Sequence, residues 1–324
     1  MTPNDELLKQ ATEHHRTGKR YRAEQLCRRV LKRAPEHPEA LNLLGVLANQ
    51  AGRRQQAETF FRRAARTGPA LAAVFNLANL LAATGRTDEA IEQYDCALEQ
   101  HPGFIEAWMN RGVCLMRAER FDEARSSFQH AAHHRPDYVP AWMHAGLAYA
   151  SMDQHDEAVH CLDRALELDP DHLPSLYHLG QFCRHRGDLH AARYAWRRAV
   201  RIAPRDADLH HELARIDCEL GDYEAAVAGC RHALRHRPDC PVIWADLADA
   251  LRVLKRLNEA EQSARQAVLI DGDSADAHAT LGMILSDLGR DDDARIALNR
   301  AIQLSPNHKL ATSTLSQLTA TSAA

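Results

Sequence analysis

Histidines and cysteines are the residues of this sequence best suited to chemistry, and the chain has 20 histidines and 8 cysteines. His210, His211 and Glu212 begin like the HExxH helix of zinc proteases, in which a second histidine follows four residues after the first. That position is Arg215. The zinc-protease pattern is therefore incomplete, and we expect no metalloprotease site.

A second group of possible ligands lies between residues 230 and 240. Cys230, His232, His236 and Cys240 are side chains of the types that bind zinc. The repeat described below, however, places Cys230 at a position normally filled by a buried hydrophobe and Cys240 in the following loop. We therefore predict that no metal binds there.

Signatures of catalysis are missing from the sequence. It contains neither a glycine-rich phosphate loop ending in Lys-Ser/Thr nor a GxSxG nucleophile motif. Cys27, Cys183 and Cys230 fall at core positions of the repeat, which favours packing over nucleophilic roles. The sequence predicts a protein that is not an enzyme and has no cofactor. His144 and His178, with His211 nearby, leave pH sensing open as an alternative to plain hydrogen bonding.

Composition and charge exclude several classes of protein. Forty basic and 44 acidic residues give a net charge of −4, which does not fit the basic surface of a nucleic-acid binder. The uncharged run 67–85 contains Pro69, Asn76 and Asn79 and is too short for a membrane span. Acids and histidines at the start do not fit an export signal, so we expect a cytoplasmic protein with reduced cysteines.

Abundant alanine and scarce valine and isoleucine favour helices over sheets. Self-similarity then determines the architecture, because a small residue recurs at intervals of 33 once and 34 six times. These residues are Gly45, Ala78, Gly112, Gly146, Gly180, Ala214, Ala248 and Gly282. With this residue as position 8, nine repeats cover 4–37 (degenerate), 38–70, 71–104, 105–138, 139–172, 173–206, 207–240, 241–274 and 275–308.

Fixed positions within each repeat indicate two helices. Position 20 is alanine in all nine repeats, and position 27 is alanine in eight. Position 15 is glycine in six repeats, and this residue can adopt the left-handed conformation that ends a first helix. Position 32 is proline in eight repeats and ends the second helix. Residues 309–320 continue the pattern with more polar surroundings, which predicts a C-terminal capping helix.

The pattern resembles the tetratricopeptide repeat (TPR) family, whose motif is W-x2-L-G-x2-Y followed by A-x3-F, A and P. Trp142, Gly146, Tyr149, Ala158 and Pro170 of the fifth repeat match it, whereas the seventh repeat has Asp217 at the usual tyrosine position. The resemblance implies an all-α, right-handed superhelix (α-solenoid). It also implies that the first helices line a concave groove that binds protein or peptide partners.

Two sets of residues are predicted to line that groove. Position 5 carries large apolar side chains in repeats three to six. We expect these side chains to form an exposed stripe beside the amides and histidines at positions 6 and 9. The predicted peptide-binding residues are Phe75, Asn76, Asn79, Met109, Asn110, Met143, His144, Tyr177, His178 and Gln181. A secondary acidic set, suited either to a basic segment or to solubility, comprises Asp208, Glu212, Asp246, Asp249 and Asp276, with Asp287 beyond them.

These features predict a non-catalytic interaction scaffold that holds a peptide or protein segment. The alternative is an array that presents substrates to a separately encoded glycosyl- or sulfo-transferase. Asn76 and Asn110 resemble the start of the asparagine ladder in the TPR arrays of O-glycosyltransferases, but histidines replace the later asparagines. Pure packing of the position-5 side chains is the simplest rival to groove binding.

Overall fold

The computed structural model describes residues 2–67 and 70–322. Contacts divide the chain into two compact units, Met1–Leu168 (unit 1) and Asp169–Ala324 (unit 2). Regular structure in the described ranges is entirely helical, which confirms the predicted all-α class. Within the same ranges, no helix has both the length and the apolar character needed to cross a membrane.

Unit 1 contains five helix pairs. They are α1 (Pro3–Arg16), α2 (Arg20–Arg33), α3 (Pro38–Gln50), α4 (Arg54–Arg66), α5 (Leu71–Ala83), α6 (Thr87–Gln100), α7 (Ile105–Arg117), α8 (Phe121–His134), α9 (Val139–Ala150) and α10 (His155–Leu168). The first helix of each pair is called the A helix and the second the B helix. A helices contact the B helix of their own pair, and α1, α3, α5 and α7 also contact one another in sequence. One face of the unit is therefore built from A helices.

Unit 2 contains four further pairs and one last helix. They are α11 (Leu173–His185), α12 (Leu189–Ile202), α13 (Ala207–Glu219), α14 (Tyr223–His236), α15 (Pro241–Val253), α16 (Leu257–Ile270), α17 (Ala275–Asp287), α18 (Asp291–Leu304) and α19 (Lys309–Ser322). The A helices α13, α15 and α17 contact one another in sequence, and α19 packs on α17 and α18. Ala311 and Leu318 of α19 are buried in the core of the unit.

Small side chains let the helices of each pair approach closely. The alanines at position 20 and the residues at position 27 are all 0% exposed, in all nine repeats. At position 8, a Cβ atom on Gly112 would lie 2.5 Å from Cε1 of Phe128. The glycine thus makes room for the large ring at position 24, and packing at interior density follows.

The turn between the two helices has the same backbone conformation in every repeat. Glycine occupies position 15 in six repeats with φ between +72° and +79°. In the other three repeats Glu119, Asp153 and Lys255 adopt φ of 57°, 59° and 61°. Left-handed backbone is unfavourable for residues with a Cβ atom. The repeat geometry therefore imposes this conformation even where the sequence does not favour it.

A ring N–H at position 4 ties each of five repeats to the preceding loop. Trp108 Nε1 donates to the Pro102 carbonyl oxygen at 2.8 Å, and His210 Nε2 donates to the Pro204 carbonyl oxygen at 2.9 Å. The same bond is made by Trp142, Trp244 and His278. Histidine thus replaces tryptophan as the donor without changing the register.

Pro69, expected at position 32 of the second repeat, lies outside the described residues.

Asp217, the departure from the family motif, is explained by a buried ion pair. Its side chain is buried, and Oδ1 lies 2.6 Å from Nε of Arg193 on α12. Burial raises the pKa of Asp217, whereas Arg193 acts in the opposite direction. Buried carboxylates need such a partner because desolvation of a charge is costly. Arg193 on the neighbouring B helix thus provides the partner for the aspartate that stands where the family motif has tyrosine.

Candidate peptide-binding site on the A helices

Carboxamides on successive A helices of unit 1 are joined by hydrogen bonds. Nδ2 of Asn76 donates to Oδ1 of Asn42 at 2.9 Å, and Nδ2 of Asn110 donates to Oδ1 of Asn79 at 2.9 Å. The hydroxyl of Tyr94 also donates to Oδ1 of Asn79, at 2.6 Å. These bonds orient the amides of α3, α5 and α7 and leave donor groups for a ligand.

Asn42 is a candidate site residue that the sequence prediction omitted, since it accepts a hydrogen bond from Asn76. It stands at position 5 of the second repeat, in the row that carries Phe75 and Met109 in the next two repeats. The prediction selected that row for apolar bulk, so a polar member was passed over. The signal was the spacing of 34 residues between Asn42 and Asn76, which places both amides on neighbouring A helices.

The expectation of an exposed apolar stripe at position 5 is wrong for Met109. Its side chain is only 8% exposed and belongs to the core of unit 1. Phe75 is half-buried, with its ring centroid 4.6 Å from that of Phe104 and 6.0 Å from that of Tyr94. The ring of Phe75 packs on its own B helix, α6, and on the residue that precedes α7. Packing is thus the main role of Phe75 and Met109.

Met143 and His144 lie on α9 and are half-buried. The imidazole of His144 stacks on the ring of Phe128, with centroids 5.2 Å apart and planes inclined by 22°. Since Phe128 is fully buried, this contact fixes the imidazole against the core. His144 therefore has a packing contact in addition to its polar edge.

Tyr177, His178 and Gln181 lie together on α11 in unit 2 and are half-buried. Nδ1 of His178 is 3.3 Å from Oε1 of Gln181, and its ring is 5.5 Å from that of Tyr177. Burial lowers the pKa of His178, so the neutral imidazole is favoured at pH 7. This shift moves the titration of His178 away from physiological pH, against the pH-sensing alternative.

Most acids of the predicted set of unit 2 have a side-chain partner within the unit. Asp246 Oδ2 lies 2.6 Å from Nε2 of His211, and Asp276 Oδ1 lies 2.8 Å from Nε2 of His308. Asp208 pairs with Arg237, Glu212 with Arg184 and Arg215, and Asp287 with Arg252. Arginines are thus the partners of Asp208, Glu212 and Asp287, whereas Asp246 and Asp276 contact histidines.

Asp249 differs from the other acids of the set. Its nearest cation, Nε of Arg252, is 3.8 Å from Oδ1. Desolvation raises the pKa of Asp249 to about 6, and the neighbouring Asp246 acts in the same direction. Both residues line a cavity of about 280 Å³ between α15, α17 and α19, together with Asp276, Thr280 and Met283. This cavity is the part of the acidic set best suited to receive a cation.

The histidine and cysteine groups have structural roles. The ring of His210 donates to a backbone carbonyl and stacks on that of His232, with centroids 5.1 Å apart. Cys27, Cys183 and Cys230 are buried, and burial raises the pKa of Cys27 to about 12. Residues 2–67 and 70–322 contain no group of three or more His, Cys, Asp or Glu side chains placed to hold a metal ion.

The chain belongs to the tetratricopeptide repeat family. Family models described as tetratricopeptide repeats match residues 8–72 and 75–139, 115–181 and 184–245, and 275–308. Arrays built purely from this repeat are typically non-catalytic and bind protein or peptide partners. No curated protein sequence matches the chain.

Solved structures with low sequence identity share the fold. The C-terminal part of a TPR repeat-containing protein from Cytophaga hutchinsonii matches with a TM-score of 0.64 and 17% identity, over 74% of this chain and 99% of that chain. YrrB, described as a TPR protein with an unusual peptide-binding site, matches with a TM-score of 0.52 and 20% identity, over 58% and 96%. The APC/C hetero-tetramer Cut9-Hcn1 matches with a TM-score of 0.51 and 19% identity, over 92% and 59%.

Proposed function

We propose that the protein is a non-catalytic scaffold whose A-helix face in unit 1 binds an extended segment of a partner protein. The observation that carries the proposal is the pair of hydrogen bonds that joins Asn42 to Asn76 and Asn79 to Asn110. Each bond uses one acceptor and one donor, and among the described residues no hydrogen bond uses Nδ2 of Asn42 or Asn79. Amides held in this way can donate to the carbonyl groups of a peptide backbone.

Besides its packing role, the half-buried Phe75 adds apolar surface on α5, the helix that carries Asn76 and Asn79, and Met143 is a further half-buried apolar side chain on α9. Methionine and aromatic side chains accept apolar groups of varied shape, which suits recognition that depends mainly on the peptide backbone. The description of the similar YrrB structure as having a peptide-binding site is consistent with this use of the fold.

The experiment is the selection of linear peptides from a random display library with the full chain, followed by titration of variants. Asn79→Ala and Asn110→Ala should each weaken binding of a selected peptide about tenfold, the cost of one lost hydrogen bond of about 1.4 kcal/mol. Asn299→Ala is the matched control, because Asn299 is exposed on the B helix α18. Unchanged binding in both unit 1 variants would contradict the proposed site.

Within the same function, the cavity beside Asp246, Asp249 and Asp276 is proposed to receive a lysine or arginine side chain of the partner. The support is the raised pKa of Asp249, which a nearby cation would lower. Peptides with a basic residue should therefore bind more tightly than their alanine analogues. Asp249→Asn should remove that difference, and added salt should reduce it.

The presentation of substrates to a separate glycosyl- or sulfo-transferase is the second form that this binding function could take. The hydrogen-bonded asparagines favour this substrate-presenting form because they resemble the asparagine ladder of glycosyltransferase arrays. Transferase activity that co-purifies with the wild-type chain and is lost with Asn79→Ala and Asn110→Ala would support this form. Peptide binding without such activity would favour the simple scaffold.

A further inference from the structure

A groove of about 680 Å³ lies in unit 1 between α8, α9 and α10. Its floor consists of Ala132, Ala145 and Cys161, all of which are buried. Trp142, His130 and His133 form its sides. The groove is lined partly by B helices, whereas the amides of the proposed peptide site lie on A helices. It is therefore a separate feature of the unit.

Three small residues from three helices line the floor of this groove. Ala132 is at position 28 of the fourth repeat, and Ala145 and Cys161 are at positions 7 and 23 of the fifth. Position 7 is leucine in six other repeats, at Leu44, Leu77, Leu179, Leu213, Leu247 and Leu281. At this junction of the fourth and fifth repeats, alanine stands in place of that leucine, and the surface beneath it is formed by small apolar side chains.

The equivalent junction between the sixth and seventh repeats has a different combination of residues. Its three positions are Val200, Leu213 and Gly229, so that two of them carry larger side chains and the third has none. A Cβ atom on Gly229 would lie 2.9 Å from Cβ of Ala214 and 3.2 Å from the carbonyl oxygen of His210. Glycine therefore lets α14 approach α13 closely. The groove junction has neither the leucine at position 7 nor the glycine at position 23.

The sides of the groove are preorganised. The indole N–H of Trp142 is used by the Pro136 carbonyl oxygen, 2.9 Å away, which leaves its ring as an apolar surface. The imidazole of His130 stacks on Trp108 with centroids 4.4 Å apart and planes inclined by 14°. His133 follows one turn later on α8. None of the described residues that line the groove is acidic.

We propose that this groove binds a small apolar acid, with its hydrocarbon or aromatic body on Ala132, Ala145 and Cys161 and its carboxylate beside His130 and His133. A volume of about 680 Å³ is in the range of small-molecule sites. Imidazole N–H groups donate to a carboxylate in both the neutral and the protonated state. The lining offers no carboxylate to a cationic ligand. The groove should therefore prefer an acidic head group to a basic one.

The test uses three probes that share an eight-carbon chain, namely octanoate, 1-octanol and octylammonium, titrated calorimetrically against the full chain. Octanoate should bind most tightly, and Ala145→Leu should weaken it at least tenfold because the leucine fills the floor. That variant restores the side chain found at position 7 in six other repeats, so it should fold. Circular dichroism and thermal unfolding check this point. Ala132→Leu serves as a second filling variant, since leucine occupies position 28 in four other repeats, at Leu31, Leu98, Leu166 and Leu234.

Ala297→Leu is the matched control. It makes the same change in a groove of about 640 Å³ between α16, α17 and α18, whose lining includes Asp293 and three arginines. Octanoate binding should be retained in this variant. Undiminished octanoate binding in the folded filling variants, or an equal loss in Ala297→Leu, would overturn the assignment of the site. Equal binding of octylammonium and octanoate would overturn the preference for an acid.

Discussion

Gly180 lies against the indole of Trp196, so closely that a Cβ atom at Gly180 would be 2.5 Å from Cε2 of the tryptophan. Trp196 is fully buried and is the largest such side chain in the described chain. The same relation between positions 8 and 24 joins Gly112 to Phe128 and Gly282 to Leu298. The small residue at position 8 thus makes room for a large side chain at position 24, sixteen residues later.

Gly180→Ala should therefore lower the free energy of unfolding by about 1 to 3 kcal/mol through overpacking. Adding Trp196→Tyr should recover part of the loss, because the third repeat combines Ala78 with Tyr94 at the same two positions. Denaturant unfolding followed by circular dichroism measures both variants. A Gly180→Ala chain as stable as the wild type would show that the contact is not tight.

Lys255→Gly should raise the free energy of unfolding by about 1 kcal/mol. Lys255 has φ of 61° at the turn where six repeats have glycine, and the strain of a left-handed residue exceeds the entropic cost of glycine. Gly221→Ala provides the reverse change at the equivalent turn and should be destabilising. Thermal unfolding checks the pair, and a lower melting temperature for Lys255→Gly would refute the strain.

Asp249→Asn should stabilise the fold at pH 8 but not at pH 4. The folded pKa of Asp249 is raised to about 6, above the value of about 3.9 for an unfolded aspartate. The stability that depends on the protonated carboxyl is therefore present below about pH 4 and lost as the pH rises through 6. Nearly half of the side chain is exposed, so the gain at pH 8 should be about 1 kcal/mol.

Melting temperatures of the wild type and of Asp249→Asn across pH 4 to 8 measure this effect. The difference between the two proteins should grow with pH and reach its plateau above pH 6. A difference that does not change with pH would show that the titration of Asp249 is not responsible.

His210→Leu should cost about 1 kcal/mol of unfolding free energy. The change removes the N–H that donates to the Pro204 carbonyl oxygen, whereas leucine fits sterically because Leu41 and Leu176 occupy position 4 elsewhere. His210→Trp should retain stability, since Trp244 makes the same bond in the next repeat. Equal losses in both variants would mean that the bond does not matter.

Much of the fold follows from the sequence because the repeat averages the signal over nine copies. Alanine at position 20 predicts close helix packing wherever it occurs, and each copy is fully buried. Left-handed backbone at Glu119 and Lys255 is not evident from the residue types, because glutamate and lysine do not favour it, whereas aspartate, as at Asp153, adopts it more readily. There the conformation is determined by the neighbouring helices.

The site was less predictable than the fold because it depends on differences between the repeats. Periodicity places Met109 on a face of α7 but does not show that its side chain is buried in the core of unit 1. The pairing of Asp246 with His211 joins residues 35 positions apart on neighbouring A helices, which position-by-position analysis of acids does not detect. Pairs of interacting side chains on different helices can be identified only from the three-dimensional structure.

Titration of several selected peptides of unrelated sequence with Asn79→Ala is the most direct test of the central claim. If the amides of unit 1 bind the peptide backbone, affinity should fall by a similar factor of about ten for every peptide, and Asn299→Ala should leave it unchanged. A loss confined to one peptide, or no loss in a variant with wild-type stability, would contradict the account.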